Sequence, residues 1–254
     1  MPSTVIGAAA RQLVQEECLA IANALARRSD IHVGVHSARK AIRRLRAVLA
    51  LFATDEPPLQ RSDRALQRLG RGLSALRDAH VLVDTAQSLQ DGVPASGWAT
   101  VITHLAARRD RLLQRAYAED PGFQKKRRAV QRVGLELDAQ GWERVSKGDL
   151  RRALARSRRR VRKAAARARD SDDPEALHDW RRRVRRLRMQ LEAMARLDSG
   201  LVKDHSGSDG GKQAKGLHRL SDALGRQQDL RLLRNHMRGM PVLQDKAVLM
   251  ALAR

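Results

Sequence analysis

Apolar residues recur at three- and four-residue spacing through most of the chain, and no sustained alternation of apolar and polar positions marks a strand. The pattern predicts an all-α protein. Turn formers cluster at 54–58 (TDEPP), 91–97 (DGVPASG), 119–122 (EDPG), 171–174 (SDDP), 206–211 (SGSDGG) and 239–241 (GMP). Helix-length segments of roughly twenty residues lie between them.

Two of these segments share a pattern. HSARKAIRRLR, His36 to Arg46, sets His36, Arg39, Lys40 and Arg43 along one side of a helix, flanked by Arg44 and Arg46. Ala38, Ala41, Ile42, Leu45, Val48, Leu49 and Phe52 fall opposite, as a stripe for burial. HDWRRRVRRLR, His178 to Arg188, sets His178, Arg181, Arg182 and Arg185 opposite Trp180, Val184, Leu187, Leu191 and Met194. A shift of 142 positions, 36 to 178, pairs Arg39 with Arg181, Lys40 with Arg182, Arg43 with Arg185, Arg44 with Arg186 and Arg46 with Arg188. A weaker echo matches 66–82 to 217–233, pairing Arg68 with Arg219 and Asp78 with Asp229.

Such self-similarity predicts two related helical bundles. The first spans 1–120; the second, with a connecting segment, spans 121–254, the join falling near 119–148. The second half leaves only Val242 to Arg254 for a last helix, against Ala99 to Ala118 in the first, so its bundle is expected to be short or incomplete. Asp172 or Asp173 can cap the second motif helix, with Pro174 suited to its first position.

Composition narrows the partners. Of 254 residues, 42% are hydrophobic, enough for a core, while 51 Lys and Arg against 28 Asp and Glu leave a formal charge of +23. An acidic partner is the expectation. The lone Cys18 excludes an internal disulfide, and no secretory signal or membrane-length apolar run is apparent, which reads as a soluble cytoplasmic protein.

Neither motif stripe, as counted above, contains an acid. Like charges four apart destabilise a helix by about 0.2–0.5 kcal/mol each. Two matching stripes bear that cost with the same geometry, which points to a shared ligand rich in negative oxygens. Arg binds phosphate with a two-point fork, Lys as a point charge, and His adds a donor that titrates near neutrality. The cation run over 151–169 and the one from Lys125 to Arg128 widen the field rather than build a site.

Asp78 and Asp229 occupy matching polar positions, where they either brace an Arg or His or form an ordinary ion pair. A turn is expected between His32 and His36, and no Cys or carboxylate cluster completes a metal site, so no metal or cofactor is expected. Without a glycine-rich phosphate loop, an acidic cluster for magnesium or a nucleophile with a partnered base, no catalytic residue is expected. These residues alone leave DNA, RNA, polyphosphate and acidic proteins open, although the few scattered aromatics weigh against single-stranded nucleic acid.

The doubled pattern of His, Arg three on, Arg seven on and RRLR, each copy followed by an LG-type helix ending in RD or QD, resembles the CHAD family, the conserved histidine α-helical domain. That resemblance implies two four-helix bundles related by a pseudo-twofold, with the motif helices lining a central basic pocket. Family members bind inorganic polyphosphate and can associate with polyphosphate granules. Carried over by position, the pocket residues are His36, Arg39, Lys40, Arg43 and Arg46 with His178, Arg181, Arg182, Arg185 and Arg188. Arg44, Arg186, Arg68 and Arg219 stand in a secondary rank. Nucleic-acid binding through the diffuse basic surface is the alternative.

Overall fold

Short polar side chains fix where the motif helices begin. Asp30 Oδ1 accepts from Val33 N at 2.9 Å at the start of one, and Asp173 Oδ1 accepts from Glu175 N at 2.9 Å at the start of the other, with Pro174 in the first turn. The computed structural model describes residues 3–52, 56–92, 97–171, 173–198, 210–240 and 246–253. Its helices are α1 Ser3–Ala26, α2 Ile31–Phe52, α3 Pro57–Gly72, α4 Ser74–Gly92, α5 Gly97–Glu119, α6 Gln124–Asp138, α7 Lys147–Arg169, α8 Pro174–Leu197, α9 Gly210–Arg238 and α10 Lys246–Leu252. Short 3-10 turns lie at Pro121–Phe123 and Trp142–Arg144, and there is no strand among the described residues. The all-α expectation holds.

The break at 119–122 falls between helices as expected, and so does that at 171–174 except for Asp172, the alternative cap, which lies outside the described residues. Those at 54–58, 91–97, 206–211 and 239–241 lie partly outside the described residues, and α9 is already helical at Gly210. Three breaks have no counterpart among these clusters. One separates α1 from α2 over 27–30, and another separates α6 from α7 over 139–146; the third is at Leu73, whose N–H bonds back to Gly70 O at 3.3 Å. Gly70 and Gly72 weaken the helix there. The matching stretch in the second half runs on as one 29-residue helix, α9.

The predicted stripes are buried: Ala38, Ala41, Ile42, Leu45, Val48 and Leu49 on α2, and Val184, Leu187, Leu191 and Met194 on α8. Phe52 and Trp180 are only half-buried. One large core gathers side chains from α1, α2, α3, α6, α7 and α8, including Ile21, Leu49, Leu66, Leu137, Leu150 and Leu191. A smaller core joins α4, α5, α9 and α10 around Trp98, Leu82, Leu233 and Leu249. Each core takes residues from before and after position 120. Four helices, α2, α8, α9 and α4, pack in sequence around a ring, each touching the next and α4 closing onto α2. The basic faces of α2 and α8 meet at that ring. Among the described residues no helix is long and apolar enough to cross a membrane.

Candidate functional site

The apolar stripes of α2 and α8 pack into the large core, and Gln190 Nε2 donates to Ala47 O at 3.3 Å between the two helices. Burying those faces turns Arg39 and Arg43 of α2 and Arg181 and Arg185 of α8 toward one another. They stand close enough to disturb each other's ionisation. Burial first, then Arg39, Arg77, Arg181 and Arg188, pushes Arg43 down to about 10. Burial first, then Arg43, Arg181, Arg77 and Arg39, pushes Arg185 down to about 9. Arg181 is 9% exposed, and Gly225 of α9 leaves room for its guanidinium, which lies 3.5 Å from where a Cβ would stand.

Nothing in the sequence singles out Arg77 of α4, because the 66–82 and 217–233 echo sets Gln228 against it. It nevertheless lies at the centre. Its Nη1 is 3.1 Å from Asp78 Oδ1 and 3.6 Å from Asp229 Oδ1, reaching from α4 to α9. Asp78 also offsets the charge of Arg39, and Asp229 that of Arg181. The two aspartates therefore neutralise part of one arginine cluster from two helices. Burial raises the pKa of Asp229 in spite of the arginines. Against these two carboxylates stand Arg39, Arg43, Arg77, Arg181 and Arg185, an excess of positive charge. Buried Nε atoms of Arg39, Arg43, Arg77, Arg181 and Arg188 have no protein hydrogen-bond partner. Donors and charge left over in this way suit a ligand that is itself an array of anionic oxygens.

Arg39 serves the fold as well. Its Nη1 donates to Gly70 O at 2.5 Å and to Ser74 Oγ at 2.6 Å, satisfying the end of α3 at the Leu73 break. His178 is half-buried and lines a cavity of about 500 Å³ together with Arg181, Gln228, Arg231 and Arg234. Arg231 and Arg234 of α9 thus join the lining beside His178 from outside the motif. His36 and Lys40 are exposed on α2.

Most of the other expected residues hold partners outside the cluster, although Arg188 stands near enough to Arg43 to help lower its pKa. Arg44 Nε donates to Glu17 Oε1 of α1 at 2.6 Å. Arg46 forms a two-point pair with Asp63 of α3 at 2.8 and 3.1 Å. Arg188 Nη1 donates to His218 Nδ1 at 2.5 Å. Asp179, one residue past His178, pairs with Arg182 at 3.0 Å and Arg183 at 2.7 Å, so the second motif helix is not free of acid around its basic side. Arg68 and Arg219 are exposed, and Arg68 lines a groove with α6 instead.

His32 and His36 require a correction. Asp30 starts α2 at Ile31, so no turn separates them; they sit one turn apart on the same helix. The His32 ring stacks on His80 of α4 at 5.0 Å. No group of three or more His, Cys, Asp or Glu among the described residues is placed to hold a metal ion.

Residues 7–238 match the CHAD domain family. No curated protein sequence matches the chain. Among solved structures, the chain is similar to the crystal structure of the CHAD domain from the plant Ricinus communis, with 22% identity and a TM-score of 0.66, covering 99% of this chain and 83% of that one. It is also similar to PptA from Streptomyces chartreusis, with 14% identity and a TM-score of 0.67, covering 97% of this chain and 92% of the other. At such identities the likeness concerns the fold. The family match, across most of the length, places the chain in the CHAD family.

Proposed function

We propose that this protein binds inorganic polyphosphate, without turning it over, in the ring of α2, α4, α8 and α9. The supporting observation is the cluster of Arg39, Arg43, Arg77, Arg181 and Arg185, which four helix-borne guanidinium positions on α2 and α8 and one on α4 bring together against only Asp78 and Asp229. A chain of phosphoryl groups carries regularly spaced charge and acceptor oxygens and no bases to read. It can therefore satisfy several forks at once. Binding at polyphosphate granules is the cellular consequence of this reading.

The test is competition between long polyphosphate and duplex DNA at equal phosphate concentration over a series of salt concentrations. Polyphosphate is expected to win, with a steep salt slope and a preference for longer chains. DNA competing equally well would overturn the reading. The exposed cations of α7, among them Arg151, Arg152, Arg159 and Arg162, favour a second reading as a nucleic-acid-binding surface. On that reading, neutralising α7 weakens binding more than Arg39→Ala with Arg181→Ala; on the first, the ranking reverses.

A further inference from the structure

Arg44 and Arg186 hold the same place in the two motif copies, yet their surroundings differ in sign. Arg44 is paired with the buried carboxylate of Glu17 on α1. α7 packs on α8 as α1 packs on α2, but Arg160 of α7 stands near Arg186, with Arg46 and Arg182 completing the surroundings and Asp63 the acid that offsets them. Arg46, Arg160, Arg182, Arg183 and Arg186 line a groove of about 300 Å³ between α2, α3, α7 and α8, to which Gln67 and Ser157 add neutral hydrogen-bonding groups and Asp179 one carboxylate.

Three of the five guanidiniums are committed. Arg46 holds Asp63, while Arg182 and Arg183 share Asp179. Arg160 and Arg186 have no ion-pair partner among the described residues. Successive residues on a helix are turned by about 100°. Arg181 and Arg185 therefore face the central cluster, whereas Arg182 and Arg186, one position further on, face this groove. α8 presents two basic faces to two separate spaces.

We infer that the groove is a second anion site, taking a phosphate group of a condensed inorganic phosphate between Arg160 and Arg186. The two unpaired forks supply the bidentate donors that tetrahedral oxygens need, and the acids on either side hold the remaining arginines in place. A long chain seated in the central cluster can continue over α8 into this groove, so that the second contact is made at high effective concentration. The inference rests on the proposed function for the chemical class of its ligand and for the central site from which a long chain continues.

Calorimetric titration of the full chain with tripolyphosphate, and separately with long-chain polyphosphate, tests it. The unmodified protein is expected to take up two equivalents of tripolyphosphate. Arg160→Ala with Arg186→Ala should take up one and bind the long chain roughly ten-fold more weakly. Both side chains are exposed, and a circular-dichroism melt checks that the fold is kept. Arg160→Glu places a carboxylate beside Arg186 as Glu17 stands beside Arg44, and it should likewise abolish one equivalent. A single equivalent in the unmodified protein, untouched by either variant and lost in Arg43→Ala with Arg185→Ala, would overturn the second site and leave the central one standing. Absence of binding by both phosphates would overturn the two together.

Discussion

Arg43 and Arg185 are held in the folded chain against the opposition of their own neighbours. Each is desolvated and surrounded by arginines, and the pKa of each is pushed down in consequence. Arg43→Met keeps the aliphatic bulk and removes the charge. It is expected to stabilise the free protein by about 1 kcal/mol while weakening polyphosphate binding about ten-fold or more, since a hydrogen bond to a charged group contributes about 1.5–3 kcal/mol. Thermal melts and titrations on the same preparation separate the two effects. His36 and His178 are both held below their ordinary value of 6.5, through desolvation first and neighbouring cations next. A base whose pKa falls on folding is protonated more readily in the unfolded chain, so the free protein loses stability as pH drops through 6.5 toward the lower folded value. A bound polyanion reverses the local field and draws protons in. Affinity for polyphosphate should therefore rise from pH 8 to 6, as titration against salt-matched buffers would show. A flat profile would remove both histidines from the ligand.

At the scale of the helices, α2 and α8 were legible because a buried stripe and a charged stripe on one helix leave a plain periodicity. The Leu73 break was not. Gly70 and Gly72 weaken the helix locally, but the break is secured by Arg39 of α2 bonding Gly70 O and Ser74 Oγ, partners about thirty residues away that local pattern cannot anticipate. Close helix approach is equally invisible from periodicity: a Cβ on Gly34 would stand 2.5 Å from Ala24 O, where α2 crosses the end of α1. Gly34→Ala is thus expected to cost about 1–3 kcal/mol of stability, as forced overpacking does. A denaturant titration measures it, and an unchanged midpoint would show that α1 yields freely.

For the whole molecule, the net charge of +23 makes the folded state repel itself, most strongly where the basic faces of α2 and α8 meet. Added salt should raise the melting temperature of the free protein by screening that repulsion. Polyphosphate at a free concentration of about one hundred times Kd should add about 2.7 kcal/mol, a rise of roughly 5–10 °C for a chain of this size. Scanning calorimetry with and without ligand reads both, and an unmoved transition at saturation would mean that the unfolded chain binds polyphosphate as well as the folded one does, against a site built by the ring. The two cores and the ring between them draw on both halves of the chain, so this response belongs to the molecule as a unit.

The amino-acid sequence by itself determined the helical class, the apolar stripes, the doubled motif and the excess of cations, because these follow from local periodicity and counting. Only the tertiary structure decided which cations work together. Arg44 and Arg46 go to acids on α1 and α3, Arg182 is held by Asp179, and Arg77, which has no counterpart in the repeat, enters the centre from α4. An arginine side chain is long and its choice of partner is made across helices. That choice follows from which faces pack, and packing sums contacts from both halves of the chain that no single window contains.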